Sequence, residues 1–315
     1  MERVKLGNTG IEVSRLCFGS LTMTPAQANL SIREGAELIK YAYDKGINFL
    51  DTAEYYENYL YIKEALKNID RQDYVISTKC YAYTREMAAK SLDKALRELN
   101  TDYIDIFMLH EQESIYTLKG HREAIEFFLE AKQKGKIRAF GISTHYVAGV
   151  IGANQLDEVE IIHPIMNMEG IGIQDGTIDD MLKAVKKSYT LGKGIYSMKP
   201  LGGGHLISKY EEAFEFIKNL NYIHSIAVGM QSKEEIDCNV SIIECGKVPE
   251  KLVNYIQRKN RKLIVADYCV GCGNCVNTCS HEGIEIIDGR AVPNDNCILC
   301  SYCAKVCPEF CIKIV

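Results

Sequence analysis

Within the 315-residue chain the same cysteine phrase occurs twice, Cys269-x2-Cys272-x2-Cys275-x3-Cys279 and, 28 residues later, Cys297-x2-Cys300-x2-Cys303-x3-Cys307-Pro308. Three thiolates at two-residue gaps with a fourth just beyond suit an iron–sulfur cube, and runs of this kind place their fourth cysteine on the other run's cluster. The spacing therefore assigns Cys269, Cys272, Cys275 and Cys307 to one [4Fe–4S] cluster and Cys297, Cys300, Cys303 and Cys279 to a second. Residues 263–315 are too few for an adequate hydrophobic core, so metal is expected to supply one and the segment to be unfolded without iron.

The duplication extends past the ligands. Asp267 matches Asp295, Gly283 matches Cys311, and Ile284-x-Ile286 matches Ile312-x-Ile314, an apolar alternation that predicts a short strand after each run. This doubled unit resembles the two-cluster bacterial ferredoxin domain, with two departures: Ser280 stands where proline usually follows the first run, and Cys311 lies outside the ligand pattern. Cys311 is expected to be a small buried hydrophobe.

Zinc and disulfides are the rival uses of these cysteines. A zinc ribbon pairs two CxxC units 15 to 20 residues apart, whereas the gap from Cys275 to Cys297 is longer and each run has a third, evenly spaced cysteine left over. Disulfides need an oxidising compartment, and residues 1–20 lack a basic start, an apolar core and a cleavage site. Thirteen cysteines under those conditions point to a reducing cytoplasm, one low in oxygen if exposed clusters are to survive. A net charge of −5 argues against nucleic acid as a partner, and no apolar run approaches a membrane span.

Before the cysteine segment, β-branched runs alternate with amphipathic stretches, the pattern of repeated βα units. The runs are Leu16–Phe18, Ile47–Leu50, Tyr74–Ser77, Tyr103–Leu109, Ile137–Ile142, Val159–Ile165, Ile195–Met198 and Ser225–Val228. Helices are predicted at Arg33–Lys45, Arg85–Leu99, His121–Lys134, Ile178–Leu191, Glu211–Asn219 and Lys233–Cys245. Eight units in residues 1–262 predict an α/β fold, a (β/α)8 TIM barrel, followed over 263–315 by a small ferredoxin-like α+β domain. A doubly wound sheet is the alternative, but no glycine fingerprint follows the first strand.

In such barrels chemistry sits where strands end. Those positions hold Asp51 with Tyr56, Lys79, His110, Ser143-Thr144-His145, and Lys199-Pro200-Leu201-Gly202-Gly203-Gly204. Taken singly, each has a plain structural explanation: a helix cap, an ion pair, a core histidine. Their order along the chain is more specific. Residues 5–19 (Lys5-Leu6-Gly7-Asn8-Thr9-Gly10 through Cys17-Phe18-Gly19), Asn48-Phe49-Leu50-Asp51-Thr52-Ala53-Glu54-Tyr55-Tyr56, Ser77-Thr78-Lys79, Thr101-Asp102-Tyr103-Ile104-Asp105 with Leu109-His110, Gly135-Lys136-Ile137-Arg138 with Gly141-Ile142-Ser143, and Met198-Lys199-Pro200-Leu201-Gly202 together resemble the aldo-keto reductase superfamily over residues 1–262.

That resemblance implies a catalytic tetrad of Asp51, Tyr56, Lys79 and His110, acting on a small carbonyl or alcohol substrate. Hydride addition to a carbonyl builds negative charge on oxygen, so a proton donor is needed. Tyr56 would be that donor, the Lys79 ammonium would ease its ionisation, Asp51 would hold Lys79, and His110 would orient the carbonyl. Tyr55 is expected only to pack. For the nucleotide, NADH or NADPH, the resemblance implies Ser143 and Asn167 on the carboxamide, Met198 in the usual stacking position, and Pro200, Leu201, Gly202 and Gly203 near the pyrophosphate. Beyond strand eight come Gly229, Ser232, Lys233, Glu235 and Asn239, where Glu235 replaces the usual arginine and leans the site toward NADH. The loop after Tyr56 departs from the family pattern, so substrate identity is not inherited.

The resulting expectation is an NAD(P)H-linked carbonyl reductase, or alcohol dehydrogenase in reverse, fused to two clusters. Nicotinamide moves two electrons as hydride and a cluster moves one, and no flavin signature links them. The clusters would then be structural and roof the pocket, sense redox poise, or exchange electrons with a partner ferredoxin or flavoprotein. The alternative is an electron-transfer protein whose barrel only binds a ligand or partner.

Overall fold

The computed structural model describes residues 1–258 and 260–315. Eight parallel strands close into a barrel: Leu16–Gly19, Phe49–Asp51, Val75–Cys80, Ile104–Leu109, Ile137–Thr144, Ile161–Pro164, Gly194–Met198 and Ser225–Gly229, the last returning to pair with the first. Each predicted run is a strand, with ends shifted by up to three residues, as where Tyr74–Ser77 becomes Val75–Cys80. The strands Val75–Cys80 and Ile104–Leu109 are buried at every position, because one face meets the barrel interior and the other meets helices.

Two apolar layers result. Phe49, Val75, Ile106, Met108, Ala139, Ile161 and Tyr196 fill the interior, and Leu6, Ile11 and Val13 join them. Leu6 and Ile11 lie between the strands of the hairpin Arg3–Lys5 and Glu12–Ser14, and Val13 within its second strand, so the hairpin plugs the end of the barrel opposite the site. Outside, the helices bury one stripe each, as Ala88, Ser91, Leu92, Ala95 and Leu99 do in Arg85–Leu99. Local chemistry fixes where helices begin: Ser31 and Glu34 form a capping box, as do Thr177 and Asp180, and Thr84 and Ser232 accept from the Met87 and Glu235 amides. The helices Tyr59–Leu66, Ile115–Gly120, Val147–Ala153 and Glu250–Arg258 were not predicted. The first three are of eight residues or fewer, and Gly149 and Gly152 depress helix propensity in the third while letting it pack against Gln112 and Ile115. No helix among the described residues is long and apolar enough to cross a membrane.

The cysteine segment folds into two small antiparallel sheets. Leu263–Val265 pairs with Ile312–Ile314, and Ile284–Ile287 pairs with Arg290–Pro293. Each cysteine run contributes one short helix, Asn274–Thr278 and Tyr302–Lys305.

This segment docks on the C-terminal mouth of the barrel. Phe310 is 1% exposed and belongs to the barrel's apolar layer, not to the small core around the cysteines. His205 Nε2 lies 3.0 Å from the Ile312 carbonyl, which can only accept, so Nδ1, 2.9 Å from Ser301 Oγ, accepts in turn. Lys305 pairs with Glu169 at 2.8 Å. Tyr55, expected only to pack, is more than half exposed, and its hydroxyl donates to Asp267 at 3.1 Å.

Candidate active site and cysteine clusters

The strand ends bring the four tetrad residues to one place. Asp51 is the last residue of strand two and Lys79 lies near the end of strand three, both nearly inaccessible. The Lys79 ammonium donates to both Asp51 oxygens, at 2.7 and 2.8 Å, and to the Thr52 carbonyl at 2.7 Å. Those three acceptors satisfy its three protons. Nζ lies 5.4 Å from the centre of the Tyr56 ring, and among the described residues no hydrogen bond joins it to the phenol. Burial, then the charges of Asp51 and Glu111, hold the Tyr56 phenol well above its ordinary pKa, so it is protonated, as a donor must be.

His110 follows strand four. Its ring stacks on Tyr81 at 4.6 Å and meets Tyr56 edge-on at 5.9 Å. Burial, then the Lys79 and Lys199 charges, push its pKa well down and keep it neutral. Among the described residues its buried Nδ1 has no hydrogen-bond partner.

Two residues of this frame were not singled out from sequence. Tyr196 on strand seven donates to Asp51 Oδ1 at 2.8 Å, and its ring stacks on His163 at 3.9 Å. His163 Nδ1 donates to the Tyr196 carbonyl, and burial lowers its pKa to about 4. Only barrel closure brings strands two, six and seven together on one carboxylate.

From Asp51 and Tyr56 a groove open to solvent runs along strand eight. Met198, Pro200, Leu201, Gly203, Gly229, Glu235 and Asn239, all assigned from sequence to the nucleotide, line it. Others of that set stand apart. Ser143 accepts from the Glu111 amide, and the Asn167 side chain is occupied at both ends by the Ile171 backbone at 2.9 Å. Ser232 caps its helix and meets Tyr255, while Lys233 lies over the Tyr41 ring. Arg261, from the linker, lines the groove where Glu235 does, and this cation was not anticipated.

The glycine run has a use not foreseen from sequence. The amides of Gly202 and Gly204 bond to the Lys199 and Leu201 carbonyls, and Gly202, Gly203 and Gly204 all have positive φ. A methyl group on Gly204 would overlap the Ile314 carbonyl, and one on Gly203 would come within 2.8 Å of the Lys313 side chain. These positions lack side chains because the strand Ile312–Ile314 lies against them.

In the cysteine segment, Cys269, Cys272, Cys275 and Cys307 line one recess together with Pro308 and Cys311. That is the interlocked set read from the spacing. Around Cys303, burial and then the neighbouring Cys297, Cys300, Cys275 and Cys279 push the thiol up to about 12, which places three members of the second set near it. Backbone amides of Ala291 and Gly283 donate to Cys269 Sγ at 3.5 Å and to Cys279 Sγ at 3.2 Å, the kind of bond that supports cluster thiolates. Among the described residues no three His, Cys, Asp or Glu side chains converge closely enough to hold a single metal ion, whereas a cubane distributes four thiolates over four irons. Cys311 is buried as expected, with Sγ 3.4 Å from Cys307 Sγ.

Comparison with known proteins agrees with this architecture. Residues 15–222 match the aldo/keto reductase family model and residues 261–308 the 4Fe-4S dicluster domain model. The chain belongs to the aldo/keto reductase family, whose members are NAD(P)-dependent oxidoreductases, and carries a 4Fe-4S dicluster domain after the barrel. It is 31% identical over 214 residues to L-galactose dehydrogenase of Arabidopsis thaliana, a match taking in 64% of this chain and 66% of that protein. It is 26% identical to the NADH-specific methylglyoxal reductase of Escherichia coli, over 53% of this chain and 60% of that one. The chain thus spans less than two thirds of either relative. An aldo-keto reductase of Bacillus halodurans shares the fold with a TM-score of 0.66 at 21% identity, covering 82% of this chain and 96% of that one.

Proposed function

We propose that this protein reduces an aldehyde or ketone to an alcohol, or runs the reverse, with NADH or NADPH, and that Tyr56 is its proton donor. The observation that carries this is the protonated Tyr56 phenol lining the groove next to the Asp51–Lys79 pair and the neutral His110. Bound reduced nicotinamide supplies the hydride. Tyr56 gives its proton to the carbonyl oxygen as charge builds there, and the nearby Lys79 ammonium stabilises the phenolate that remains. Asp51 holds Lys79 in place by accepting from its Nζ with both oxygens. His110, neutral and edge-on to Tyr56, would orient the carbonyl oxygen by a hydrogen bond from its ring.

Met198, Pro200, Leu201 and Gly203 would hold the dinucleotide along strand seven, with Gly229, Glu235 and Asn239 at the adenosine end. Glu235 favours ribose hydroxyls over a 2′-phosphate, which supports NADH. We take residues 1–262 as the catalytic unit and 263–315 as the unit holding two [4Fe–4S] clusters. Lys313 and Ile314 line the same groove, which supports a role for the clusters in folding a roof over it.

The test is an anaerobic preparation assayed with a panel of aldehydes and ketones against both nucleotides. Turnover with at least one carbonyl is expected, faster with NADH. Tight nucleotide binding with no carbonyl reduced would reject the reading, and cluster oxidation at the rate of product formation, seen by freeze-quench electron paramagnetic resonance, would put the clusters in the electron path instead of the roof.

A further inference from the structure

Two ammonium groups, of Lys199 and Lys313, share the barrel mouth, and among the described residues no carboxylate pairs with either. Lys199 follows strand seven with φ of 58°, a left-handed backbone that a residue bearing a Cβ adopts only at a cost. Its ammonium donates to His145 Nε2 at 2.8 Å and sits 4.8 Å from the centre of the Phe310 ring. Lys313, from the cluster-bearing segment, lies over the same ring and donates to the Phe310 carbonyl. Among the described residues neither lysine forms an ion pair. Glu111, the acid whose charge acts most on Lys199, accepts from Tyr81, and Asp51 is occupied by Lys79 and Tyr196. Burial, and after it the Lys79 charge, holds Lys199 at about 8; burial and then Lys199 push Lys313 well down. Desolvated cations that repel each other are unfavourable until an anion joins them.

Both lysines line the groove that contains Asp51 and Tyr56. The Lys199 ammonium reaches across strand six to His145 at the end of strand five, the side away from strand eight and the Glu235–Asn239 segment. We propose that Lys199 and Lys313 bind an anionic group on the substrate itself, so that the preferred substrate is a carbonyl compound bearing a carboxylate or phosphate. One cation comes from the barrel and one from the cluster segment, so the subsite exists only while that segment is docked. The proposal rests on the reading of Tyr56 above for where the carbonyl lies.

The experiment uses the full-length, cluster-loaded protein with 4-carboxybenzaldehyde against its methyl ester and glyceraldehyde 3-phosphate against glyceraldehyde. Calorimetric binding in the presence of oxidised nucleotide is measured alongside kcat and KM, and iron content is checked for every variant. The anionic member of at least one pair should bind tenfold or more tightly, and Lys313→Met and Lys199→Met should each reduce that preference at least tenfold through KM, with Lys313→Arg restoring it. Equal binding of charged and neutral partners overturns the proposal. So does a Lys199→Met variant that loses nucleotide affinity while keeping the charge preference, since the cation would then grip the dinucleotide pyrophosphate. Charge-selective binding without any reduction would leave the anion subsite standing and reject the carbonyl reductase reading.

Discussion

Tyr196 and Asp51 meet across the barrel interior, the strand-seven hydroxyl donating to the strand-two carboxylate at 2.8 Å while Ser77 Oγ lies 2.8 Å from the same hydroxyl. Asp51 is thereby fixed by Lys79 from one side and Tyr196 from another. A carboxylate held in this way cannot swing toward the substrate, and it fixes the buried Lys79 side chain through two short hydrogen bonds. Tyr56, the proton donor proposed above, stands beside this fixed pair, its ring centre 5.4 Å from Lys79 Nζ.

Replacing Tyr56 by phenylalanine removes the proton and keeps the ring. Turnover of a good carbonyl substrate should fall by roughly a hundredfold or more while nucleotide affinity is retained. Unchanged kcat in Tyr56→Phe would remove Tyr56 from the mechanism.

Iron and acid-labile sulfide, measured on anaerobically prepared protein, should give about eight of each per chain, as two cubanes require. Stoichiometric zinc, or iron for a single cube, would overturn the ligand assignment of Cys269 through Cys307.

Gly204 has φ of 94° and faces the Ile314 carbonyl. Gly204→Ala therefore combines a left-handed alanine, costing about 1 kcal/mol or more, with a clash against backbone that cannot rotate away. The expected result is a lower melting temperature and faster proteolysis of residues 263–315, with the barrel itself still folded. Gly273→Ala, where a methyl group meets nothing within 4 Å, carries the backbone cost alone and serves as the comparison.

His163 is neutral in the folded protein because burial depresses its pKa from 6.5 to about 4. Between those values the unfolded chain binds the proton and the folded one does not, so stability falls as pH drops from about 6.5 to 4 and is complete above that window. A shift of this size corresponds to roughly 3 kcal/mol. Thermal melts of the wild type and of His163→Gln across this range should show a shallower decline in the variant; parallel curves would mean that His163 is not the titrating group.

Much of this was open to sequence reading because it depends on local periodicity. The eight apolar runs and the six longer amphipathic stretches announce themselves through alternation and caps such as Ser31 and Thr177. The cysteine runs do so through spacing alone, since a cube's first three ligands lie within one short loop. Short helices such as Tyr59–Leu66 do not, because eight residues give barely two turns of pattern. Met198, Gly203, Glu235 and Asn239 reach the groove as their positions after strands seven and eight imply. Asn167 and Ser232 instead spend their polar atoms on nearby backbone, a choice set by loop geometry that residue type does not reveal.

By itself, then, the sequence determined a barrel of repeated βα units and a doubled cluster-ligand segment, and it set which residues fall at strand ends, because strand period and ligand spacing are properties of neighbouring residues. Tertiary structure alone decided that Tyr196 and His163 complete the setting of Asp51, that Gly203 and Gly204 leave room for Ile312–Ile314, and that Lys199 and Lys313 share one mouth. Each of these is a contact between segments tens to more than a hundred residues apart. Such contacts follow from how the barrel closes and where the second unit docks, which no local pattern encodes.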